Sequence, residues 1–145
     1  MKETIVVGMD GHDSGARALE FGANLVNKLG DCELVVAYVI EWSPYSFQTA
    51  EENAERHLRR EEEISTALER VITPALEQLK EKGIQANGVV RHGDVADTLN
   101  TIAGEHKATQ IVVAKSSEGG FTKRIFGSST TNLVMSAEVP VTVVN

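Results

Sequence analysis

The residues best placed for chemistry are Ser128, Ser129, Thr130 and Thr131, which follow Gly127 where a helical pattern begins. Hydroxyls and the free backbone N–H groups of a first helical turn converge there, and the helix dipole favours negative charge, so the matching guest is a phosphate. Lys115, Lys123 and Arg124 precede them against one acid, Glu118, a local positive excess in a chain of formal net charge -7. Ser and Thr are also preferred helix N-caps in any protein, so the same residues admit a purely structural reading. The common phosphate signatures, GxxxxGKS or GxxxxGKT and a GxGxxG after a strand, do not occur.

Catalytic chemistry has a weaker footing. His12, His57, His92 and His106 fall on different elements without ligand spacing and read as turn or surface residues. Efficient nucleotide hydrolysis wants a positioned base and commonly a metal-binding carboxylate near the γ-phosphate. The expectation is no catalytic or metal site, with at most slow ATPase activity or self-phosphorylation on Ser128 to Thr131. The single cysteine, Cys32, permits no intramolecular disulfide and reads as a small buried residue.

These residues need a scaffold. The apolar runs Thr4 to Met9, Leu34 to Ile40, Asn87 to Val90, Ile111 to Val113 and Val139 to Val144 predict five strands, the last with Pro140 near its start, which suits an edge. Helical patterns alternate with them: Ala16, Leu19, Ala23 and Val26 up to Gly30, then a long stretch from Thr49 to Lys82, then Val95 to about His106 capped by Asp94, then the pattern after Gly127. In the long stretch Ile64, Leu68, Val71, Ala75 and Leu79 predict one inward face, with either a kink near Pro74 or a second helix capped and restarted at Thr73-Pro74; His92-Gly93-Asp94 predicts a tight turn. The segment Trp42 to Ser46 predicts an irregular loop.

Strands alternating with helices call for an α/β fold: a five-stranded parallel sheet in the order 3-2-1-4-5, with helices on both faces. Strands one and four are then neighbours, and Asp10, in the polar turn after Met9, faces the Gly127-Ser128 site across one crevice. At 145 residues, with 41% hydrophobic and 24% charged residues, the chain suits a single domain over residues 1–145. The acidic balance disfavours nucleic acid as partner, no apolar run is long enough to insert in a membrane, and the N-terminus does not read as a signal peptide. A cytoplasmic location is expected.

With the residues assembled, the chain resembles a universal stress protein of the UspA type along nearly its whole length. The likeness is carried by TIVVGMDGHDSGARAL, by VVRHGDVADTLNTIAGEHKATQIVVA and by GSSTTNLVMSAEVPVTVVN. It implies a domain of the adenine-nucleotide alpha-hydrolase type and homodimers paired through the last strand, here Val141 to Val144. Nucleotide-binding members carry Gly, two residues, Gly, nine residues, then Gly-Ser or Gly-Thr. In this chain Gly127-Ser128 completes the second half, whereas Ala114 and Ser117 stand at the two earlier glycines. A side chain at Ala114 narrows the approach to ribose or phosphate, and Ser117 is less free than glycine to adopt positive φ. Position by position, the resemblance implies that Asp10 contacts adenine and that the backbone near Val39 frames the base. Ala114, Ser116 and Ser117 would line the ribose and phosphate side, and Gly127, Ser128, Ser129 and Thr130 would hold phosphate oxygens. The implied function is a dimeric stress-response module binding ATP, with or without magnesium, whose loop Lys115 to Phe126 is ordered by the nucleotide. The alternative is a dimer that binds no nucleotide and acts on protein clients, through its dimer surface and the acidic helix Glu51 to Glu63.

Overall fold

The computed structural model describes residues 2–11, 13–41, 49–115 and 128–145. Five strands, β1 (Glu3–Met9), β2 (Cys32–Glu41), β3 (Ala86–Gly93), β4 (Gln110–Ala114) and β5 (Val141–Val144), form one sheet in the order β3-β2-β1-β4-β5. Every pairing is parallel, with Val6 opposite both Val35 and Ile111. The expected order and five-stranded sheet are thus found.

Successive side chains of a strand point to opposite faces, and each face has its own apolar cover. On one face Ile5, Val7, Leu34, Val36 and Val112 pack with Ala18, Leu19, Ala23 and Val26 of α1 (Asp13–Leu29). The same layer includes Ile72, Ala75 and Leu79 from the long helical segment. On the other face Val6, Val35, Ala37, Val39, Ile111 and Val113 pack with Leu99 and Ile102 of α4 (Val95–Glu105) and Leu133 of α5 (Ser128–Ser136). Cys32 is buried at the start of β2, and burial, followed by the charges of Glu3, Glu33 and Asp31, pushes its thiol pKa up.

The long segment restarts as a second helix at Thr73, the second of the two expected readings, and adds a π turn that neither reading held. It comprises α2 (Ala50–Ala67), a π turn (Leu68–Ile72) and α3 (Thr73–Glu81), the Thr73 N–H bonding back to the Leu68 carbonyl. The interruption lies one turn before Pro74, which sits in the first turn of α3, where its missing N–H costs nothing. A π turn carries an extra residue and shifts the phase of the buried face. The inward set is therefore Ala67, Ile72, Ala75 and Leu79, while Leu68 is 39% exposed. In α2 only Ala67 is buried. The rest of that helix relies on its own devices: a reciprocal Thr49/Glu52 capping box and pairs such as His57 with Glu61 at 3.2 Å.

Two strand ends also differ. β3 runs on to Gly93, so His92 belongs to the strand rather than to a turn, its ring nearly buried and 2.9 Å from the Glu63 carboxylate. β5 begins after Pro140, whose carbonyl nonetheless accepts from the Ile111 N–H at 2.9 Å. The loop Trp42 to Ser46 lies outside the described residues.

Candidate functional site

The C-terminal ends of β1, β2 and β4 open into a crevice of about 420 Å³. Asp10, from the turn after β1, and Val39, on β2, line it together with Ala114 at the end of β4. Ser128, Ser129 and Thr130, the first residues of α5, line it as well. Six of the sequence-derived site residues are thus brought together; Ser116, Ser117 and Gly127 lie outside the described residues.

Each side of the crevice has an identifiable support. Gly8 lies in its floor because a Cβ there would come within 3.0 Å of Val113 and 3.1 Å of Leu99. With Val39, Val95, Leu99 and Val113 the floor is apolar, the lining against which a flat ring gains most. At one end the Asp10 carboxylate accepts from the Gly15 N–H at 2.9 Å through Oδ1 and from the Ser14 hydroxyl through Oδ2. Asp10 therefore satisfies N-terminal groups of α1 while also facing the crevice, the capping role that its place after β1 allowed. At the other end α5 is held by Leu133, buried against α4, and by Asn100, whose Nδ2 donates to the Ser136 carbonyl at 3.5 Å and whose Oδ1 accepts from the Glu138 N–H just beyond the helix at 3.1 Å. The start of the segment after β4 is fixed on two sides: the Lys115 N–H donates to the Val144 carbonyl at 2.7 Å, and the Lys115 carbonyl accepts from Arg17 Nη2 at 2.8 Å.

Sequence reasoning missed Gly8, Tyr38, Glu41, Val95 and Leu99 as lining residues. Their only signal was position: Gly8 next to the end of β1, Tyr38 and Glu41 near the end of β2, and Val95 and Leu99 on the first turns of the helix after β3. Nothing in residue type marked them. Among the described residues no group of three or more His, Cys, Asp or Glu side chains could hold a metal ion, and no helix is long and apolar enough to cross a membrane.

A parallel sheet in this order, with a crevice between β1 and β4 that ends on a helix N-terminus, defines a doubly wound α/β protein with its site at the switch of strand order. The chain belongs to the universal stress protein family, whose model matches residues 1–145. Among solved structures, the universal stress protein UspA of Lactobacillus plantarum is similar with a TM-score of 0.83 at 18% identity, covering 99% of this chain and 97% of that one. A universal stress protein in complex with cAMP gives 0.70 at 21% identity, covering 99% and 97%. The universal stress protein from Archaeoglobus fulgidus in complex with dAMP gives 0.63 at 18% identity, covering 100% and 98%. No curated protein sequence matches the chain.

Proposed function

We propose that this protein is a dimeric regulatory module that binds an adenine nucleotide in the crevice between β1 and β4. The observation that carries this reading is the crevice itself, which joins an apolar floor to a helix N-terminus bearing three hydroxyl side chains. The base lies on Val39, Leu99 and Val113, with Asp10 accepting from an amino group at its edge. Ala114, Ser116 and Ser117 border the ribose, and Gly127, Ser128, Ser129 and Thr130 take the phosphate, where the N–H groups and dipole of α5 favour negative charge. Two structural relatives that hold cAMP and dAMP support an adenine nucleotide with one phosphate as readily as ATP. The methyl group of Ala114, where binders carry glycine, weakens the affinity. The reading is of binding, with at most slow hydrolysis or self-phosphorylation.

The test is calorimetric titration of AMP, cAMP and ATP, the last with and without magnesium, into protein stripped of carried-over nucleotide. A Ser128→Ala, Thr130→Ala variant runs alongside. Micromolar binding that weakens by roughly tenfold to a hundredfold in the variant, as expected for one or two lost charge-assisted hydrogen bonds, supports the reading. No heat, together with no displacement of a fluorescent ATP analogue up to millimolar nucleotide, overturns it and leaves the dimer as a surface for protein clients.

The dimer rests on β5, which among the described residues pairs only with β4 and leaves its other edge open. Val134 and Met135 on neighbouring α5 are 50% and 82% exposed. Two copies joined through β5 across a two-fold axis cover that edge. The family assignment and the absence of a membrane-crossing helix among the described residues fit a cytoplasmic protein.

A further inference from the structure

A second cavity, of about 550 Å³, shares Asp10, Tyr38 and Ile40 with the nucleotide crevice but extends toward α2 and the π turn. In α2 only Ala67 is buried, and the cavity lies beside that helix. Its floor is apolar, built from Tyr38, Ile40, Ala67 and Val71. Arg70 and Val71 come from the π turn, a distortion that recurs at functional sites.

The charges around this floor are unevenly committed. Glu63 is engaged by His92 at 2.9 Å, and Asp10 by Ser14 and Gly15. Among the described residues Arg59 and Arg70 have no ion-pair or hydrogen-bond partner, and Glu62 is the remaining acid. The two arginines are eleven positions apart, about 16 Å along a helix, so they flank the cavity rather than meet. Thr66 lines the same cavity as Arg70.

We propose that this cavity is a second small-molecule site, distinct from the nucleotide crevice, which takes an organic carboxylate with a compact apolar body. The body lies on Tyr38, Ile40 and Val71. The carboxylate meets the Arg70 guanidinium, whose fork of donors matches a planar pair of oxygens, with the Thr66 hydroxyl beside it. Arg59 adds positive potential at the far end, and Glu62 opposes it. A bare inorganic anion gains nothing from the floor, and a neutral aromatic gains nothing from Arg70.

Benzoate is the probe, titrated into isotopically labelled protein and followed by two-dimensional amide NMR. Saturable shifts are expected at Tyr38, Thr66 and Val71, with Ala114 and Ser128 unmoved. Arg70→Gln, an exposed substitution, should weaken binding about tenfold or more, and Glu62→Gln should tighten it. Benzyl alcohol and inorganic phosphate, each lacking half of the chemistry, should bind at least about tenfold more weakly. Four outcomes overturn the proposal: no saturable shift at millimolar benzoate, equal affinity in Arg70→Gln, phosphate binding as tightly as benzoate, or shifts confined to the nucleotide crevice.

Discussion

Arg91 on β3 and Glu105 in the last turn of α4 form a two-pronged pair, Nη1 to Oε2 at 3.1 Å and Nη2 to Oε1 at 2.5 Å. The hydrogen bonds from Arg91 hold the Glu105 carboxyl below its ordinary range, and partial burial works against them more weakly. A carboxylate at a helix C-terminus is otherwise unfavourable, and Arg91 offsets that. The sign follows from the lowered pKa. The pair's contribution is present above the unfolded carboxylate value, about 4.3, and fades as pH falls through the lower folded value. Both side chains are well exposed, so the contribution to stability is small. Arg91→Gln should move the Glu105 titration upward, read by carboxyl-carbon NMR; an unchanged midpoint would show that Arg91 is not the cause. At this scale the candidate site was partly legible. Ser128, Ser129 and Thr130 announced themselves by type and by following a glycine, whereas Tyr38 and Leu99 did not, since an aromatic or aliphatic residue near a strand end reads as ordinary core.

The elements were legible where hydrophobic period alone defines them. Buried parallel strands show as β-branched runs, and all five were readable from LVVAYVI, QIVVA and their counterparts. Strand ends were less so, because backbone pairing carries β3 on through Arg91 and His92 after the apolar run stops. The π turn was hidden for a different reason. One extra residue shifts the phase locally, so Leu68 of the stripe counted at α-helical spacing falls outside and Ile72 is buried instead, while Ala75 and Leu79 lie inward as counted. Ile72 is 1% exposed, and its methyl group lies against Gly88 of β3, where a Cβ would come within 2.2 Å of it. Ile72→Ala should therefore cost about 2–5 kcal/mol in urea unfolding, and Leu68→Ala no more than about 0.5 kcal/mol. The reverse order would put the α-helical count back in place.

At the scale of the whole molecule, the open edge of β5 makes a testable distinction. The Pro140 and Val144 carbonyls accept from Ile111 on β4 and from Lys115 just after it. In a strand the bonding groups alternate in direction, so the amides of Thr142 and Val144 face β4 while those of Val141 and Val143 face outward. A monomer protects only the first pair from hydrogen exchange. A dimer joined along β5 protects all four, and rapid exchange of Val141 and Val143 at a concentration where sedimentation shows a dimer would place the interface elsewhere. The same sheet has a consequence for how the chain is built. β1 is its centre, yet one of its two neighbours, β4, begins only at Gln110, so Ile5 waits for a partner 105 positions later in the chain. The ladder that closes the crevice is among the most distant contacts in the fold, which raises its contact order and makes closure a late, entropically costly step. Until β4 arrives, one edge of the central strand stands open, and the crevice does not yet exist.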